Sequence, residues 1–230
     1  NRFIHAPMEG TAPIEWMMGY KFNEHTRKYL IERAKNDVGL IIPGIITVKS
    51  MAGGKWLHKN SKKFFNELKE FMAEIHKYDC KMFLQLGAGF GRVMVMIDML
   101  AGLLDKSFVA KMLKVNRITA APSELPNVWD PKRKCPEITV EEIKEIIEAY
   151  GKSAKVLKDC GVDGVEIHAA HAHGLLGGFL SPLFNKRSDE YGGDINGRLK
   201  LTLEVVDAVR ERCGDDFIID VRISGSEYVE

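Results

Sequence analysis

Three of the seven histidines, His168, His171 and His173, fall within six residues at the end of the apolar run Val162–His168. Imidazoles gathered at a strand end can donate hydrogen bonds to a substrate oxygen, relay protons or bind a metal. Glu166 stands two residues upstream, so the stretch also carries a His/carboxylate set of the kind zinc accepts. Gln85 sits near the end of another apolar run, Lys81–Leu86, where its amide can both donate and accept. Arg222 lies on the otherwise apolar run Phe217–Ile223. A cation there needs a partner, because burying it alone is costly. That partner is either a structural carboxylate or an anionic ligand.

The elements that must position these groups follow from hydrophobic period. The runs Phe3–Met8, Val38–Ile42, Lys81–Leu86, Val162–His168 and Phe217–Ile223 read as buried strands. Helical spacing marks Glu24–Asn36, Ser61–Tyr78, Thr139 to about Cys160, and Gly197–Cys213. Ser61 is an N-cap, and Thr139 with Glu142 makes a capping box. Gly161 and Gly214 sit just past helix ends, where left-handed backbone is wanted.

Strands apolar on both faces and separated by helices predict a parallel α/β sheet. The turn after the first strand, Pro7-Met8-Glu9-Gly10, is no phosphate loop, which argues against a doubly wound nucleotide fold. The polar residues instead collect at strand C-terminal ends, as in a TIM (β/α)₈ barrel. The expected fold is therefore an incomplete N-terminal portion of such a barrel, about five of its eight βα units. Residues 1–230 are read as one barrel domain cut at both ends, with an insertion at about 87–136. Its Met- and Leu-rich part, Val93–Leu104, is either a packed helix or hairpin or an apolar wall for a greasy substrate.

Composition narrows the function class. Lys and Arg total 33 against 32 Asp and Glu, so no global positive field is available for nucleic acid or an anionic membrane. The four cysteines, Cys80, Cys135, Cys160 and Cys213, are scattered and form no CxxC pair, which reads as reduced thiols in a cytoplasmic protein. No apolar run is long enough to span a bilayer.

The segment from Glu166-Ile167-His168 with His171 through Phe179-Leu-Ser-Pro-Leu-Phe-Asn-Lys-Arg-Ser-Asp-Glu-Tyr-Gly-Gly193 resembles the Old Yellow Enzyme family. Asn1–Met8, Phe83–Arg92 and Asp220–Tyr228 are similar to that family's first, third and fifth strands. The wording Leu86-Gly-Ala-Gly-Phe-Gly-Arg92 is closest to the anaerobic branch of 2-enoate, dienoyl-CoA and bile-acid-inducible steroid oxidoreductases.

That resemblance implies an FMN-dependent oxidoreductase. It would transfer hydride between NAD(P)H and the C=C bond of an enoate, enoyl-CoA or steroid enone. It also implies roles. Ala6, Pro7, Met8, Gly44, Gln85 and Arg222 would bind the flavin, Gln85 at its pyrimidine edge and Arg222 beside N1 and O2. His168 and His171 would grip the substrate carbonyl. A tyrosine usually supplies the proton, but Gly174 stands in its place, so His173 is the candidate donor. Glu9 lies where the family has a small or thiol side chain. Gly177 and Gly178 replace bulkier residues, which predicts a wider pocket. Arg187, Asp189 and Tyr191 are expected to tie down their loop. A 4Fe-4S cluster and FAD would belong to a missing C-terminal part, and a homo-oligomer is open. Two alternatives accompany this reading: a diverged non-catalytic flavin barrel, and a metal-dependent barrel hydrolase or lyase using the His cluster with Glu166.

Overall fold

The structure, a computed structural model, describes residues 2–8, 23–49, 56–89, 91–92, 120–128, 130–132 and 134–228. Glu9 and the stretch Val93–Leu104 lie outside the described residues. The chain divides into two compact units. One comprises Asn1–Gly87, Ile147–His168 and Val205–Arg222, and the other Ala88–Ile146, Ala169–Glu204 and Ile223–Glu230.

The first unit is built on a sheet of β1 (Phe3–Met8), β2 (Val38–Pro43), β4 (Lys81–Gly87), β7 (Gly164–Ala169) and β8 (Ile218–Ile223), in that order. The pairs β1–β2, β2–β4 and β4–β7 are parallel, and the short β3 (Ile46–Thr47) adds to the end of β4. Each strand is close to its sequence expectation, because a continuous apolar run bounded by turn residues is a strong local signal.

Helix α1 (Glu24–Lys35) packs on β2, and α2 (Lys62–His76) packs on β4. Asn23 caps α1 by accepting from the Thr26 N–H at 2.7 Å. Ser61 caps α2 by accepting from the Phe64 N–H at 3.2 Å. The apolar stripe of α2, Phe64, Leu68, Phe71, Met72 and Ile75, is buried. Each such side chain contributes about 1.5–3 kcal/mol of transfer free energy. Met82, Leu84 and Leu86 on one face of β4, with Val165 and Ile167 on β7, are completely buried. The opposite face of these strands carries Phe83 and Gln85 on β4, and Glu166 and His168 on β7.

Two features lock β4 against β7. The Asp163 carboxylate accepts from the Met82 N–H at 2.9 Å and lies 2.8 Å from His76 Nε2. Gly164 follows, and a Cβ there would come within 2.9 Å of the Phe83 ring and 2.8 Å of the Ile218 carbonyl oxygen. Only glycine lets the three strands approach so closely at this layer. The resulting register sets Phe83 opposite Gly164 and Gln85 opposite Glu166. The strands that end the order, β1 and β8, expose large apolar side chains, with Phe3 73% and Ile223 61% exposed. These are the open edges expected of a partial barrel.

The second unit contains a small antiparallel pair, β5 (Leu125–Pro126) with β6 (Lys134–Cys135), and the short helix α4 (Leu175–Leu180). It also holds the first turns of α3 (Val140–Asp159) and α5 (Ile195–Cys213). The capping box forms as expected, Thr139 N–H to Glu142 at 3.0 Å and Glu142 N–H to Thr139 at 3.2 Å. Past the ends of α3 and α5, Gly161 (φ +87°) and Gly214 (φ +79°) take the left-handed conformation that glycine adopts without strain.

Arg187 organises the following loop. Its side chain is 3% exposed and donates to the carbonyls of Pro122 (2.8 Å) and Ile138 (2.7 Å) and to the Asp189 carboxylate (2.9 Å). The guanidinium holds the Asp189 carboxyl below the usual carboxylate range. Asn185 donates to the carbonyls of Phe179 and Tyr191, and the Tyr191 hydroxyl donates to Glu204 at 2.9 Å. The loop is thus a pinned scaffold, as its Arg187, Asp189 and Tyr191 suggest.

Candidate active site

The predicted site residues fall into three local groups. The first is the end of β1. Ala6, Pro7 and Met8 lie on an edge strand, with Met8 in register with Pro43, next to the buried Gly44. This brings the backbones of the first two strand ends together.

The second group is polar and set within the sheet. Gln85 and Glu166 are each 4% exposed. The Gln85 side-chain N–H donates to the Glu166 carboxyl. Asp220 and the half-buried Arg222, both on β8, act on the same carboxyl. Burial pushes the Glu166 pKa up; the Gln85 hydrogen bond pulls it down, Asp220 raises it, and the Arg222 charge lowers it. His168 closes the same face of β7, two residues beyond Glu166, and is half-buried.

The third group belongs to the second unit. His171 and His173 stack with their rings parallel within 4° and 5.5 Å apart. His171 sits at φ +59°, a left-handed conformation that costs a non-glycine residue about 1–3 kcal/mol and is seen at functional sites. The His173 carbonyl accepts from the Arg92 N–H at 2.8 Å. Gly91, at φ +56°, lies against that carbonyl so closely that a Cβ would stand 2.2 Å from it. The Gly91-Arg92 pair is therefore a backbone clasp on the histidine loop. The Arg92 guanidinium stacks over Phe184 at 4.1 Å. Partial removal from water, then His171 and Arg92, lower the His173 pKa, so its ring is neutral at neutral pH.

Two sequence expectations change. Gly177 and Gly178 do not open a pocket. A Cβ on Gly177 would stand 2.6 Å from the His171 carbonyl oxygen and 2.7 Å from that of Ala170. One on Gly178 would meet Ala172 and Pro122 at 3.3 Å. The glycines let α4 seat on the histidine loop. The metal alternative also loses its geometry, since among the described residues no group of three His, Cys, Asp or Glu side chains converges on a metal position. Sequence reasoning missed Asp220 and the Gly91-Arg92 clasp altogether, and weighed Glu166 only as a metal ligand. The alternation in Asp220-Val-Arg222, which sets both charges on one face of a strand, is the signal that could have found Asp220.

Residues 1–230 match the family described as NADH:flavin oxidoreductase / NADH oxidase. The chain belongs to this family. A cinnamate reductase of Clostridium sporogenes is 37% identical over 236 residues, covering 100% of this chain and 33% of that protein. An NADH oxidase of Thermoanaerobacter brockii is 31% identical, covering 100% of this chain and 33% of that one. The crystal structure of Old Yellow Enzyme from Pichia sp. AKU4542 superposes with a TM-score of 0.75 at 26% identity, covering 97% of this chain and 55% of that one. The chain thus spans about a third of the length of the curated relatives it matches. Its fold is a portion of the (β/α)₈ barrel of the flavin oxidoreductase family. No helix among the described residues is long and apolar enough to cross a membrane.

Proposed function

We propose that the full-length protein is an NAD(P)H-dependent, FMN-containing ene-reductase acting on the C=C bond of an α,β-unsaturated carbonyl compound. Residues 1–230 would be its flavin-binding barrel domain, with the insertion at about 87–136. The observation that carries this reading is the buried Gln85 amide hydrogen-bonded to Glu166, a carboxyl on which Asp220 and Arg222 of β8 also act. A flavin's pyrimidine edge offers carbonyl acceptors and one N–H donor. The Gln85 carbonyl and second N–H complement that edge, and Arg222 supplies a permanent positive charge. The donor set therefore fits FMN.

When bound, FMN supplies two-electron hydride chemistry. This chain's residues do the rest. Arg222 would set a permanent positive charge beside the bound ring. Ala6, Pro7, Met8 and Gly44 offer small surface and backbone to it. His168 and His171 donate hydrogen bonds to the substrate carbonyl and draw electron density from its β-carbon. His173, in its imidazolium form, delivers a proton to the α-carbon in place of the tyrosine that Gly174 replaces. Among candidate substrates, the named activity of the Clostridium sporogenes relative favours an aryl enoate over an enoyl-CoA or a steroid enone. FAD and a 4Fe-4S cluster, if the protein has them, take ligands outside this chain. Its four cysteines are buried thiols in no disulfide, and burial pushes Cys80 up to about 11.

The test is an absorption spectrum of the purified full-length protein, followed by anaerobic NADH titration and addition of cinnamate. A flavin spectrum that bleaches and then returns is expected. No flavin in the intact protein would sink the reading. Flavin that bleaches but is not reoxidised by any enoate would favour the non-catalytic alternative, for which Gly174 is the supporting residue. In the same protein, His168→Ala should weaken a phenolic ligand about tenfold with flavin retained, the loss of one charge-assisted hydrogen bond. Unchanged affinity in a ligand titration would remove His168 from the carbonyl grip.

A further inference from the structure

His171 stands at φ +59°, where the Cβ of an L-residue crowds the carbonyl that follows it. A residue keeps that conformation only where its surroundings over-determine it. Here both of its backbone polar groups are taken. The His171 carbonyl accepts from the Gly174 N–H at 2.8 Å, which closes the turn 171–174. Gly177 seats against the same oxygen, where a Cβ would stand 2.6 Å from it. Those two fixtures come from the loop itself and the helix that follows it. The His171 N–H is held from a distant part of the chain. It donates to the Ser224 hydroxyl oxygen at 3.0 Å, across 53 residues of sequence.

Ser224 is in turn held in place. It opens the segment just past β8, and that segment has a second footing. The Ser181 hydroxyl, at the C-terminal cap of α4, donates to the Glu227 carboxylate at 2.8 Å and accepts from the Leu183 N–H at 3.2 Å. Ser181 is buried, so this footing is shielded from water. Residues 224–227 thus form a strap, with one foot on the histidine loop and the other at the end of α4.

We propose that Ser224 is a positioning residue, whose hydroxyl holds the His171 backbone in its left-handed turn and thereby aims the His171 ring at the substrate carbonyl. The proposal rests on the reading above of His171 as one of the two carbonyl-gripping histidines. The ring follows the backbone, because φ and ψ fix the direction of the Cα–Cβ bond and the rotamers open to it. His171 stacks on His173 with the rings parallel within 4° and 5.5 Å apart. A relaxed φ would swing the Cβ, part this stack and turn the donor away. A neutral hydrogen bond shifts such an equilibrium by a factor of about two to ten. Its loss therefore redistributes residue 171 without unfolding the loop, which the Arg92 N–H still holds at the His173 carbonyl.

The test is titration of the FMN-loaded, full-length protein with 4-hydroxybenzaldehyde, a phenol, followed by the change it makes in flavin absorbance. Ser224→Ala should weaken binding about three- to tenfold, with flavin content and circular dichroism unchanged. Ser224→Thr keeps the hydroxyl and should bind within about twofold of wild type. In a His171→Ala background, Ser224→Ala should cost nothing further, because a residue that acts through His171 then has nothing to position. Wild-type affinity in Ser224→Ala would overturn the proposal. So would a Ser224→Thr as weak as Ser224→Ala, an equal loss in both backgrounds, or loss of flavin from Ser224→Ala. His171→Ala that binds the phenol as tightly as wild type defeats the carbonyl-grip reading itself, and this proposal with it. That outcome stands apart from the others, since it appears in a protein with Ser224 intact.

Discussion

The two units hold their polar groups by different means. In the first, Gln85 and Glu166 meet through their side chains, although they are 81 residues apart in sequence. Strand register brings them together, and Asp163 and Gly164 fix that register. In the second, the histidine loop is held mainly by backbone, with one side-chain contact from the Ser224 hydroxyl, which accepts from the His171 N–H at 3.0 Å. Its fixtures are the left-handed His171, the Arg92 N–H on the His173 carbonyl, and glycines that lie directly against peptide oxygens. The first arrangement tolerates a change of side chain that keeps the hydrogen-bonding pattern. The second tolerates a change of side chain at the histidines but no added carbon at Gly91 or Gly177. Arg187 is the point where the second unit depends on a side chain as heavily as the first, because one guanidinium serves two carbonyls and the Asp189 and Glu137 carboxylates.

That contrast can be broken at its strongest point. Arg187→Ala should destabilise the protein by about 3–5 kcal/mol, since it leaves buried carbonyls and a carboxylate without their donor. Urea denaturation measures this, and a loss under about 1 kcal/mol would mean that the loop is held by backbone alone.

The glycines come next. Gly177→Ala should cost about 1–3 kcal/mol through overpacking against the Ala170 and His171 carbonyls. Gly174→Ala, three residues away, should cost well under about 1 kcal/mol, because Gly174 is an N-cap with extended backbone and its Cβ would meet nothing closer than 3.4 Å. Equal melting temperatures for the two variants would remove the distinction.

The smallest effect on stability, and the sharpest on chemistry, concerns His173. Its pKa is lowered, so the imidazolium that can donate a proton forms only as pH drops below the ordinary histidine range. Stopped-flow reoxidation by an enoate should therefore quicken as pH falls. His173→Ala should abolish that dependence and slow the step about a hundredfold. A rate independent of pH in the wild type would exclude His173 as the donor. Gly174→Tyr has room for its Cβ and should restore reoxidation at neutral pH to the His173→Ala background if the missing tyrosine is the only deficit.

The sequence by itself determined the elements. Asn23, Ser61 and Thr139 start helices, and Gly161 and Gly214 end them, because caps act within four residues of chain. The apolar runs became strands close to where they were read, and the ordered motif from Glu166 to Gly193 carried the family. It also determined that Glu166 and His168 share a face, since alternation along a strand is a property of the backbone. Tertiary structure alone decided which side chain lies across from each of them. Pairing Gln85 with Glu166 depends on the register of β4 and β7, and a slip of one residue would turn both groups to the other face. The meaning of Gly177 was hidden for the same reason. A glycine looks like added space in sequence, and only the packed chain shows that two carbonyl oxygens already fill it.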